Sequence, residues 1–284
     1  LANTAWSVIT PGGDVIKESI GAFPRVVLSE GEYRAIAKNE GKVFERPFNV
    51  VNGVDGEVEV VAPEHNNSAK SNALTLHSPL YVHQGSNGFR YINGTPADCV
   101  HVALTGLLDY RPDLIVSGIN NGANMGDDTI YSGTVGAAME AYLFGIPAIA
   151  FSQIDKGWAH IEAAAQIARS LVQRIEREGM LNGGAFLLNV NIPNRPLDQL
   201  KPLKVCRLGR RHSAEKVITQ DSPRGETMYW IAGAGGAKDS GEGTDFHATA
   251  AGHVALTPLQ IDLTDHAELG AWREAVSRLS AADA

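Results

Sequence analysis

Residues 113–140 read DLIVSGINNGANMGDDTIYSGTVGAAME, and the order of residue types in this stretch decides the fold. The apolar run Leu114-Ile115-Val116 has the length and composition of a buried strand. It breaks at Ser117-Gly118 into a polar loop of Asn and Asp residues, after which Ser132-Gly133-Thr134 opens a helix through Val135, Ala137, Ala138, Met139 and Leu143. Gly145-Ile146-Pro147 stops that helix, and the small residues along it suit close packing on a sheet. Strand, polar loop and helix start in this order form one unit of a doubly wound α/β sheet, which carries its ligands at the carboxyl ends of its strands.

The same stretch carries chemistry. The first N–H groups of a helix have no partner within it and bear partial positive charge, so the start at Ser132 suits an anion, phosphate above all. Ser and Thr also begin helices as ordinary caps, and Gly and Asn fill ordinary turns. The density of Asn120, Asn121, Asn124, Asp127, Asp128, Ser132 and Thr134 around one strand end is what favours a ligand.

Working outward, Val58 to Pro63 reads as a strand, followed by a second polar loop from Glu64 to Asn72 that contains His65, a candidate functional histidine. Leu74 to His77, Pro79 to His83 and Gly88 to Ile92 alternate like antiparallel strands. Thr95-Pro96 caps a helix running to about Leu108. Pro147 to Ser152 and Phe186 to Ile192 are buried strands flanking an amphipathic helix from His160 to Glu178. Further along, strand-like pieces at 203–208, 228–231 and 252–263 alternate with Gly-rich polar segments before a helix near 267–279. This pattern divides the chain into an α/β domain over 1–192 and a hairpin region over 193–284, the kind of extension that joins subunits. Within 1–56, 6–10 and 25–29 read as short strands, 32–44 has helical composition, and 48–53 reads as a loop or edge strand.

Composition narrows the function. The chain has 284 residues, 44% hydrophobic and 20% charged, enough for a substantial core, and a net charge of -8 that argues against polymeric nucleic acid as a partner. The local basic patch Arg207, Arg210, Arg211 and His212 suits the surface or a small anion. Cys99 and Cys206 read as buried free thiols of a reduced compartment, and no run approaches the ~18 apolar residues of a membrane span, so a cytoplasmic protein with no membrane partner is expected. Gly233 to Gly236 lacks the following helix of a dinucleotide site, and Asp245 and His247 read as structural, with no nucleophile elbow to make them a hydrolase pair.

Several blocks together resemble the SurE family of survival-type nucleotidases and acid phosphatases. They are Val60-Val61-Ala62-Pro63 with Asn67-Ser68, Gly94 to Val100, Ser117 to Asn124 continuing through Gly126-Asp127-Asp128 to Thr134, Leu188 to Pro193, Gly243 to Phe246 and Thr257-Pro258-Leu259. The resemblance covers about 57–264. It implies a Rossmann-like doubly wound α/β sheet with a C-terminal β-hairpin extension, a homodimer or homotetramer, and a 5'/3'-nucleotidase that hydrolyses nucleoside monophosphates with a divalent cation, Mg²⁺ or Mn²⁺. Carried over by motif, Ser68 and Asn120 are the catalytic metal ligands, and Asn124, Ser132, Gly133 and Thr134 cradle the phosphate.

The chain departs from the family at one place. The Asn-Asp-Asp-Gly tetrapeptide whose carboxylates hold the metal does not occur in residues 1–56. Glu30, Glu32 and Asp14 are the acids that could replace it, and the alternative expectation is a relative that binds nucleotide or phosphate without turnover.

Overall fold

The structure, a computed structural model, describes residues 4–20, 31–39, 42–50, 58–67, 69–86, 88–211, 215–233 and 235–282. Ser68, Glu30 and His212 lie outside the described residues. The chain divides into two compact units, Leu1–Glu59 and Val60–Ala284. This division falls at a different place from the one at residue 193 that the sequence suggested.

The first unit is a four-stranded antiparallel sheet of β1 (Ala5–Ile9), β2 (Val15–Ile20), β3 (Gly31–Asn39) and β4 (Lys42–Val50), in the order β2-β1-β3-β4. The turn between β1 and β2 closes with the N–H of Gly13 donating to the Thr10 carbonyl at 3.0 Å and that of Asp14 to Thr10 Oγ1 at 3.1 Å. Helical composition over 32–44 misleads, because β3 is paired on both sides, with β1 and β4. Two full ladders of backbone hydrogen bonds outweigh a weak intrinsic preference.

The second unit begins with a small sheet of β5 (Val61–Pro63), β6 (Val82–Gln84) and β7 (Arg90–Ile92). Residues 74–81 are not strands, contrary to the alternation in the sequence. Two of their backbone donors are taken by side chains instead of a ladder, Thr75 N–H going to Asp98 Oδ1 at 2.8 Å and Tyr81 N–H to Asn93 Oδ1 at 2.6 Å. α1 (Pro96–Val102) starts with the expected Thr95 cap and Pro96, completes a capping box with Asp98, and runs on as a π-helical turn over Ala103–Leu107.

A five-stranded mixed sheet follows, built from β8 (Ile115–Asn121), β9 (Ala148–Gln153), β10 (Leu187–Ile192), β11 (Lys201–Val205) and β14 (His253–Pro258) in the order β11-β14-β10-β9-β8. β8, β9 and β10 are mutually parallel, and β14 runs antiparallel to β10. Between them lie α2 (Gly133–Leu143), α3 (Ile161–Arg177), the hairpin of β12 (Ile218–Asp221) and β13 (Thr227–Trp230), and α4 (Asp245–Ala250); α5 (Leu269–Ala282) closes the chain. The fold is thus α/β and Rossmann-like, and the sheet continues across residue 193, since β11 and β14 belong to it.

Helices cover both faces, and strand alternation sorts the side chains between them. Ile149, Phe151, Val190, Ile192, Val254 and Leu256 pack with Ala164 and Ile175 of α3. Ala148, Ala150 and Leu187 pack with Val135, Ala138 and Ala141 of α2. Small residues on the second face bring α2 close, which sets its amino end beside the carboxyl ends of β8, β9 and β10. Among the described residues no helix is long and apolar enough to cross a membrane.

Candidate functional site

At that corner lies a cleft of about 310 Å³, lined by Asn66 and Asn67 from the loop after β5, Asn120 and Asn124 from β8 and its loop, Asp128, and Ser132, Gly133 and Thr134 at the start of α2. Local backbone requirements bring these segments together. Gly118 holds φ at +121°, and a Cβ there would stand 2.3 Å from the Phe151 carbonyl oxygen, so only glycine lets β8 lie this close to β9. Gly133 faces Pro96 and Gly136 faces the backbone of Ser71 and Asn72, where a Cβ would come within 3.0 and 2.7 Å respectively. The loop after β5 also donates the Ser71 N–H to the Tyr131 carbonyl at 3.1 Å.

Ser132 is the N-cap of α2, its Oγ accepting the Val135 N–H at 3.1 Å. The hydroxyl proton remains to donate into the cleft. Gly133 and Thr134 are the first two residues of the helix, so their N–H groups precede the first intrahelical bond. The Asn120 amide donates to the Gly122 carbonyl at 2.8 Å, and that of Asn67 to the His65 and Gly94 carbonyls at 2.9 and 3.0 Å. Carbonyl partners fix these amides with nitrogen toward the protein, which turns each Oδ1 into the atom offered elsewhere. Asn124 donates through Nδ2 to Ser152 Oγ at 2.7 Å.

The acids beside the cleft are paired. Asp128 is bonded to the Arg211 guanidinium, which stands 5.6 Å from the Phe246 ring centre. Asp127 takes Arg210 Nη1 and the Arg211 N–H, both at 2.9 Å, and Arg207 pairs with Asp239 at 2.8 Å. The three arginines of the basic patch are therefore matched to acids. Asp245 is structural, fully buried, and receives the N–H groups of Gly126, Gly209 and Phe246 at 2.8–2.9 Å. His65 is 82% exposed in its side chain and absent from the cleft lining.

Of the residues singled out for a role, Asn120, Asn124, Ser132, Gly133 and Thr134 share this one cleft, and Ser68 lies outside the described residues. Sequence reading did not single out Ser152, Asn189 and Asn191, three buried polar residues beneath Asn124. The signal was present: two Asn separated by one residue in a buried strand must share a face.

A divalent cation finds a poor fit among the described residues. Asn67 and Asn120 offer neutral amide oxygens, and the carboxylate lining the cleft, Asp128, is bonded to Arg211. No group of three His, Cys, Asp or Glu among the described residues stands close enough to hold a metal. Mg²⁺ and Mn²⁺ bind through carboxylate oxygens in preference to neutral ones. Both cysteines are free and buried, and burial pushes the Cys99 thiol up to about 12, with neighbouring Asp98 adding to the shift.

Comparison with known proteins agrees with the fold. Residues 46–215 match the model of the survival protein SurE, and residues 1–62 match a Rhizobiales growth-associated tandem repeat domain. The 5'-nucleotidase SurE of Variovorax paradoxus is 86% identical over 223 residues, spanning 78% of this chain and 88% of that protein. The 5'-nucleotidase SurE of Polaromonas naphthalenivorans is 69% identical, over 79% of this chain and 88% of that protein. In structure, the SurE protein of Aquifex aeolicus superposes with a TM-score of 0.65 at 39% identity, covering 76% of this chain and 88% of the other. With a family model across the sheet core and relatives this similar over most of their length, the chain belongs to the SurE family.

Proposed function

We propose that the chain is a nucleotidase that binds the phosphate of a nucleoside monophosphate at the start of α2 and hydrolyses its ester. The observation that carries this is the single cleft uniting Asn120, Asn124, Ser132, Gly133 and Thr134 at the carboxyl ends of parallel strands. The relatives named 5'-nucleotidase support the substrate class. In this reading the Gly133 and Thr134 N–H groups and the Ser132 hydroxyl hold the phosphoryl oxygens and stabilise the charge that grows on them as the ester breaks. A divalent cation, were one held here, would polarise the phosphoryl group and activate water. Ser68 and Asn120 are the proposed ligands, with further acids needed to complete the site.

A second reading, nucleotide binding without turnover, is favoured by that scarcity of free carboxylates. The decisive experiment measures phosphate release from 5'- and 3'-nucleoside monophosphates with Mg²⁺ or Mn²⁺, each repeated with chelator, beside calorimetric titration of the same nucleotides. Release that stops with chelator, and that Asn120→Ala abolishes in folded protein, supports the nucleotidase. Binding without release selects the second reading, and chelator-resistant release overturns the cation's role.

The assembly follows the same reading. The β12–β13 hairpin exposes Ile218, Tyr229 and Trp230, a surface suited to joining subunits in a homodimer or homotetramer. Light scattering of the chain with and without charge substitutions at these positions measures it. The two free cysteines fit a cytoplasmic setting.

A further inference from the structure

The α2 face of the sheet changes character along its length. It runs from Ala148 to Ala150 to Ser152 on β9 and from Leu187 to Asn189 to Asn191 on β10, and the parallel register sets Asn191 beside Ser152. Ser152, Asn189 and Asn191 are each 0% exposed. On β10 apolar side chains continue the opposite face to its end at Ile192, whereas β9 ends that face at the buried Gln153. Three polar residues at the buried floor call for a reason beyond packing.

All three bind one residue. The Asn191 amide pairs with the main chain of Asn124, its Oδ1 accepting the Asn124 N–H and its Nδ2 donating to the Asn124 carbonyl, both at 2.9 Å. Asn189 Nδ2 donates to the same carbonyl at 2.8 Å. Ser152 Oγ accepts Asn124 Nδ2 at 2.7 Å. Asn124 is therefore fixed at its backbone nitrogen, its backbone oxygen and its side chain. Asn189 and Asn191 lie 65 and 67 residues away from it in sequence. The partners are main-chain groups of defined donor and acceptor type, so the Asn189 and Asn191 amides fit in one orientation only.

We propose that Asn191, Asn189 and Ser152 are positioning residues that set Asn124 in the cleft for the phosphate group. This rests on the function proposed above, since Asn124 is the only one of these four that lines the cleft among the described residues. Asn191 and Asn189 fix where the Asn124 backbone stands, and Ser152 fixes how its amide is turned. Without Ser152 Oγ the amide rotates, although its backbone stays in place. Without Asn191 both move, and Asn124 no longer meets the phosphoryl oxygens in a fixed pose.

Ser152→Ala, Asn191→Ala and the restoring variant Ser152→Thr test this in the full chain. Inorganic phosphate binding is measured by calorimetry, and exchange of the Asn124 amide proton by NMR. The expected result is a loss of about tenfold in phosphate affinity for both alanine variants, recovered in Ser152→Thr, because small displacements in a preorganised site carry large penalties. Asn191→Ala also speeds Asn124 amide exchange while amides of the β9 core stay protected, and Ser152→Ala leaves that exchange slow. Unchanged affinity in both alanine variants, or an Asn124 amide still protected in Asn191→Ala, overturns the proposal. Should the unsubstituted chain bind no phosphate, the proposed function fails, and the exchange measurement still decides whether Asn191 pins Asn124. Ser152→Ala removes only an oxygen, so it provides a folded comparison if Asn191→Ala does not fold.

Discussion

Asp245 Oδ2 accepts the backbone N–H of Gly126 at 2.8 Å, joining the first turn of α4 to the loop that carries Asp127 and Asp128. Its other oxygen accepts from Gly209 and Phe246, so one buried carboxylate ties three backbone segments. Asp245→Ala leaves three buried N–H groups unpaired. It is expected to lower unfolding free energy by about 3 kcal/mol, read from urea denaturation. Asp245→Asn keeps the shape but turns a donor toward one of those N–H groups, and should fall between.

Gly118→Ala is expected to be more damaging than a surface change of equal size. The new methyl meets the Phe151 carbonyl oxygen at 2.3 Å, and φ at +121° is poorly tolerated by alanine. The expected loss is about 3 kcal/mol or more, visible in the thermal unfolding midpoint. A midpoint equal to that of the unsubstituted chain contradicts the close approach of β8 to β9.

Asp98 sets an acid limit on the second unit. Burial raises its carboxyl pKa, but hydrogen bonds from the Thr75 N–H, the Thr75 hydroxyl and the Thr95 N–H outweigh this and hold it below its ordinary 3.8. A depressed folded pKa means the unfolded chain takes up the proton first. The stabilisation is present at neutral pH and is lost as pH falls through the unfolded and then the folded value. Urea midpoints measured from about pH 6 to about pH 3 should therefore drop less steeply in Asp98→Asn than in the unsubstituted chain, from a lower starting stability.

Arg211 neutralises a carboxylate that faces the cleft. Removing it in Arg211→Ala leaves Asp128 unpaired where a phosphate dianion is proposed to bind. The expected outcome is an affinity for nucleoside monophosphate about three- to tenfold weaker, with the penalty shrinking as salt is added. Calorimetry at two ionic strengths reads both. Arg211→Ala with Asp128→Asn should recover much of the loss.

Legibility in the sequence followed the range of the interaction. The start and stop of α2 were readable because their signals, a Ser132 cap and a Gly-Ile-Pro stop, are local. The Thr95-Pro96 helix start was readable for the same reason. The end of the strand before α2 was not: Ser117-Gly118 reads as a break, yet β8 runs on to Asn121 in its pairing with β9. β3 and the start of β4 were not either, since their backbone partners come from strand pairing that composition does not encode, although 48–50 do fall in an edge strand. Nor were residues 74–81, where the Thr75 and Tyr81 N–H groups are claimed by Asp98 and Asn93. The cleft's chemistry was half legible. Residues beside one another in the chain, such as Ser132 to Thr134, announced themselves, whereas the Asp128–Arg211 pair and the Asn191–Asn124 pair join distant positions.

β10 is two surfaces interleaved one residue at a time, with Leu188, Val190 and Ile192 turned to α3 and Leu187, Asn189 and Asn191 turned to α2. Such a strand is read in parity. Inserting or deleting a single residue ahead of Asn189 would exchange the two sets, sending amides into the α3 core and aliphatic side chains beneath Asn124. Swaps of volume at the even positions are changes of spelling, but a shift by one is a change of frame, and this short segment tolerates no change of length.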